Sequence, residues 1–140
     1  MEKISLLKEI SKDAKMGMDS ISTVLNKVKD ENFESLLNEQ HKEYKNIFDR
    51  TQELLVENHE EIEDTPMMQK AMSWMGIQLN TVNDTSNSKL SDLLIQGTNM
   101  GIIKGRKLLN SISTTKEIKN ILSDFVRLQE KNVEDLKKYL

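Results

Sequence analysis

Cysteine is absent from this 140-residue sequence, and there is a single proline, Pro66. The first absence removes thiol catalysis, disulfide scaffolds and zinc-finger spacing. Five glycines, one Trp, two Tyr and three Phe give too little turn punctuation for a many-stranded sheet, so an all-β fold is excluded. Nowhere is there a run of about 18 apolar residues, so no membrane span is expected. The opening MEKISLLKEISK interrupts its Leu and Ile with charge where a secretory signal needs an unbroken apolar stretch, which predicts a cytoplasmic protein.

What is present is a chain of 36% hydrophobic and 31% charged residues, too apolar for disorder and too polar for a membrane bundle. Its length fits one domain. The net charge of −3 hides an asymmetry: residues 31–64 hold eleven Asp/Glu against three Lys/Arg, and residues 86–140 hold ten Lys/Arg against six Asp/Glu. Neither half offers the basic, aromatic-bearing surface of a nucleic-acid binder. The two halves instead suit antiparallel neighbours whose flanks attract.

Apolar residues recur at helical steps. Ile4, Leu7, Ile10, Ala14, Met18, Ile21, Leu25 and Val28 form one stripe. Phe33, Leu37, Gln40, Tyr44, Ile47, Thr51, Leu54 and Asn58 form a second, on a helix predicted over about 32–63. Asp64-Thr65-Pro66 then offers a cap followed by a proline suited to a first helical position. It starts a shorter helix over about 66–83 with Met68, Met72, Met75, Leu79 and Val82, widened by Met67, Ala71, Trp74 and Ile77, so that more than one side can be buried. Residues 83–88, NDTSNS, break the chain. Leu90, Leu94, Gly97, Gly101, Lys104 and Leu108 share the next stripe, and Thr114 with Glu117 reads as a capping box for the last helix. That helix carries Ile118, Ile121, Leu122, Phe125, Leu128, Gln129, Asn132, Val133, Leu136 and Leu140.

Four long segments at the helical rise extend about 40–48 Å each and must pack side by side. Short links within the first and last pairs make two hairpins, and the long link over 64–88 makes a crossover. The predicted fold is all-α, a ferritin-like antiparallel four-helix bundle with a helix-containing crossover, since up-down-up-down bundles need three short loops.

Bundles of that type that bind two metal ions use Glu-x-x-His on two helices. The matching spacings here are Gln40-His41-Lys42-Glu43 and Gln129-Glu130-Lys131-Asn132. Gln40, Glu43, Lys104, Gln129 and Asn132 are the expected interior polar residues, and Lys104 is a candidate to fill a metal's place by pairing with Glu43. His41, Glu43 and Glu130 are the candidate metal ligands of an alternative reading. His59, in an acidic helix end, is expected on a solvated face. Met67, Met68, Met72, Met75 and Trp74 are expected to pack the crossover over the bundle, with a partner surface or a small-molecule pocket as alternatives. No nucleophile elbow, phosphate-cradling loop or dinucleotide fingerprint is present.

With this helix plan, the segment MSWMGIQLN and the closing QEKNVEDLKKYL, the chain resembles a small bacterial ferritin-like protein of a Firmicute branch. The resemblance implies a Glu and a His where Gln129 and Asn132 stand. The expectation is therefore a degenerate metal site in a non-enzymatic interaction or structural protein, with no cofactor and with a homodimer plausible. The alternative is a metal-dependent oxidase or metal store using iron or manganese.

Overall fold

A computed structural model describes residues 2–81 and 83–140. Among these, the elements are five helices and no strand: α1 (Lys3–Leu25), α2 (Glu31–Glu57), α3 (Pro66–Thr81), α4 (Asn87–Ser111) and α5 (Lys116–Lys137). The all-α class is as expected from the stripes. Val82, read above as an apolar member of the crossover helix, lies outside the described residues.

Each start is set by a side chain that accepts from an orphan N–H of the first turn. Asp30 accepts from Phe33 N at 2.9 Å, Thr65 from Met68 N at 3.1 Å, Ser86 from Lys89 N at 3.2 Å and Thr115 from Ile118 N at 3.3 Å. Thr115 rather than Thr114 caps α5, which corrects the capping-box register by one residue. With the cap at Thr115, Ile118 points into the core, and Glu117 still stands in the first turn, where the helix dipole favours it.

Helix α2 ends at Glu57, well before residue 63. His59 adopts φ 55°, its N–H donates to Val56 O at 3.0 Å, and Glu60 N–H donates to Leu55 O at 2.8 Å. This is a Schellman stop with a left-handed histidine in the usual glycine place. Continuing the helix would have stacked Glu57, Glu60, Glu61 and Glu63 at the negative end of its dipole.

Cross-helix contacts fix the directions. Gln52 Nε2 meets Ser11 Oγ at 2.8 Å and Tyr44 lies over Gly17, so α1 and α2 are antiparallel. Gly101 with Gln129 and Gly105 with Val126 make α4 and α5 antiparallel. Gln40 with Asn132 and Arg50 with Asp124 do the same for α2 and α5. In chain order the long helices therefore run up, down, down, up. The parallel α2 and α4 need a link that returns along the whole bundle, and the segment carrying α3 supplies it.

The core is continuous, from Leu6, Leu7, Ile10 and Ala14 on α1 and Phe33, Leu37, Ile47 and Leu55 on α2 to Leu90 and Leu93 on α4 and Ile118, Leu122, Phe125 and Val126 on α5. Helix α3 packs on α1 by one face. Met68, Met75 and Leu79 are buried, and Met72 Sδ accepts from Ser20 Oγ at 3.9 Å. Met67, Trp74 and Ile77 are exposed, at 78%, 42% and 58%, so the wide apolar face read from the sequence is only half used. No helix among the described residues is long and apolar enough to cross a membrane.

Candidate functional site: a buried amide centre

Gln40 and Tyr44 are one turn apart on α2, and Gln129 and Asn132 one turn apart on α5, so each pair faces the same way along its helix. The structure brings them together midway along the bundle. Gln40 Nε2 donates to the backbone oxygen of Asn132 at 3.4 Å, a bond between helices 92 residues apart in sequence. The Tyr44 ring packs edge-on against Phe125, with centroids 6.1 Å apart at 75°. Its hydroxyl faces Thr98 of α4 and the amides of Gln129 and Asn132. Burial pushes the Tyr44 phenol above its usual range, and those polar neighbours only partly offset it.

Two glycines make this arrangement possible. A Cβ at Gly17 would lie 2.8 Å from the Tyr44 ring, and one at Gly101 would run into the Gln129 amide. A third, Gly105, admits Val126, whose Cγ2 would lie 2.5 Å from an added Cβ. Gly97, which stands four residues before Gly101 as Gly101 stands four before Gly105, faces open space. Close helix approach accounts for Gly101 and Gly105, but not for Gly97.

The amides are incompletely satisfied. Asn132 is 0% exposed, and neither its Oδ1 nor its Nδ2 has a hydrogen-bond partner; the same holds for Gln129 Oε1. Proximity to Tyr44 does not amount to a well-formed bond with Asn132. Each such group costs about 1–3 kcal/mol if it stays unpaired.

Of the expected interior polar residues, Gln40, Gln129 and Asn132 are buried together. Glu43 and Lys104 are half-buried on the flanks and do not pair with each other. Glu43 lies 3.6 Å from Lys131. Lys104 instead joins α4 to α1, reaching Glu9 at 2.6 Å and Asp13 at 3.0 Å, so the expected Lys104–Glu43 pair is corrected. The reason is directional: Lys104 lies on the face of α4 that looks toward α1, whereas Glu43 lies at the α2–α5 junction. Burial pushes the Asp13 carboxyl up, against the pull of Lys104. Burial also disfavours the Lys104 ammonium, but Asp13 and Glu9 outweigh it and hold the group above its usual range.

The candidate ligands of the metal reading are engaged elsewhere or solvated. Glu130 takes Arg106 Nε at 3.0 Å and Nη2 at 2.7 Å, Glu43 faces Lys131, and His41 is half-buried. His59 is exposed at the end of α2. Among the described residues no group of three or more His, Asp or Glu is placed to hold a metal ion. Sequence reasoning missed Tyr44 and Thr98 as members of the polar centre. The available signal was the i, i+4 step from Gln40 to Tyr44 on one stripe; Thr98 had none. Set against protein-family models, curated proteins and solved structures, the chain matches none of them.

Proposed function

We propose that the chain is a ferritin-like four-helix bundle with a degenerate metal site, acting as a non-enzymatic interaction or structural protein. The up-down-down-up order with one crossover supports this reading, because it is the connectivity of that class. The observation that carries it is the seating of Gln129 over Gly101. A di-metal bundle takes a carboxylate from each of two helices and Glu-x-x-His from the other two. In this chain the two x-x spacings read Gln40/Glu43 and Gln129/Asn132, and the other two helices face the centre with Gly17 and Gly101. Glu43 is drawn to Lys131 at the flank, and one such carboxylate among neutral amides and glycines supplies neither the charge nor the ligand number for two divalent ions.

The reading includes a cytoplasmic bacterial protein and a homodimer. Large apolar side chains left exposed on α3 and α4, among them Met67, Trp74, Met100 and Ile103, support self-association. Sedimentation across a concentration series tests it. The metal question is tested by titrating ferrous or manganous ion into the protein under calorimetry. No saturable site is expected, whereas tight uptake of about two ions per chain would replace this reading with the oxidase or storage one.

A further inference from the structure

We propose that the amide centre is a binding site for internal water, held by Gln129, Asn132 and Tyr44. The donors and acceptors left over define the ligand. Asn132 Oδ1 and Gln129 Oε1 are buried acceptors without donors, and Asn132 Nδ2 is a buried donor without an acceptor. Thr98 spends its hydroxyl proton on Leu94 O at 2.7 Å, so toward the centre it only accepts. Tyr44 contributes a hydroxyl that donates and accepts.

A ligand that donates twice and accepts once or twice completes this set, and water does so. An anion fails because the site presents two amide oxygens to it. A divalent cation fails because Asn132 Nδ2 is a donor and no carboxylate among these residues offsets the ion's charge. Water donating to Asn132 Oδ1 and Gln129 Oε1 and accepting from Asn132 Nδ2 or the Tyr44 hydroxyl ties α5 to α2. The site rests on side-chain geometry alone, so it stands whether or not the ferritin-like reading does.

Oxygen-17 relaxation dispersion on the wild-type protein tests the proposal, together with water-to-amide rotating-frame cross-peaks at the Asn132 and Gln129 side chains. A long-lived water component is expected, with cross-peaks from water to the Asn132 side-chain amide protons. A Gln129→Leu/Asn132→Leu pair, which removes the unpaired groups at similar volume, should lose the component. Ser91 Oγ and Thr114 Oγ1 are also buried without partners, so a component that persists in the double variant belongs to them and overturns the assignment. Absence of the cross-peaks in wild type overturns it as well, and that measurement needs no variant to fold.

Discussion

Gln129 of α5 lies against the bare backbone of Gly101 on α4, where any side chain would meet its amide. This contact decides the sign of substitutions along the glycine series. Gly97→Ala enters open space and replaces a poor helix former, so it should stabilise by about 0.5–1 kcal/mol. Gly101→Ala must displace the end of a buried side chain and should lose stability. Gly105→Ala meets Val126, which is stiff at χ1 and fully buried, and should lose more, about 1–3 kcal/mol. Urea unfolding of the three variants checks the order; a stabilising Gly105→Ala would contradict the close approach of α4 and α5.

His59 stops α2 in a conformation that costs an L-residue about 1–2 kcal/mol. His59→Gly keeps the same stop without that cost and should raise the unfolding free energy by about 1 kcal/mol. A loss of stability would mean that the exposed imidazole makes contacts that outweigh the strain.

Two opposite pH dependences meet where Lys104 joins Glu9 and Asp13. Asp13 is raised in the folded state, so the fold holds its proton more tightly than the unfolded chain does. Ionised Asp13 therefore subtracts from stability, and the loss is recovered as pH falls through the folded value toward 3.8. Relative to Asp13→Asn, wild type should gain stability over that window. Lys104 is also raised: its contribution is complete below 10.5 and disappears as pH climbs through the folded value. Lys104→Met should remove the alkaline limb and push Asp13 further up. Unfolding curves across pH, with Asp13 followed by carboxyl NMR shifts, would expose either sign as wrong.

Helix α3 docks on α1 by one face, so its two faces should respond differently. Met75→Ala or Leu79→Ala should cost about 2–5 kcal/mol. Trp74→Ala, on the exposed face, should change stability far less, and Trp74 emission should report a partly hydrated indole that self-association shifts to the blue. Equal losses at Trp74 and Leu79 would mean that both faces are covered.

The stripes made five helices and most of the core legible, because burial on one face leaves a period that survives in any single sequence. The amides of Gln129 and Asn132 were legible for the same reason, being polar residues on an apolar stripe. The end of α2 was not: the acidic run after Glu57 looks helical by residue type, and its stop depends on a left-handed histidine that no glycine announces. The partners of Lys104 were hidden too. Glu9 and Asp13 lie 95 and 91 residues away, and only the packing of α1 beside α4 makes them neighbours.

The most direct test of the neutral centre is elemental analysis of the folded protein, expressed in iron- and manganese-rich medium and purified without chelator. A centre built of Gln40, Tyr44, Gln129 and Asn132 predicts only traces of either metal. About two irons or manganeses per chain, retained through gel filtration, would contradict it.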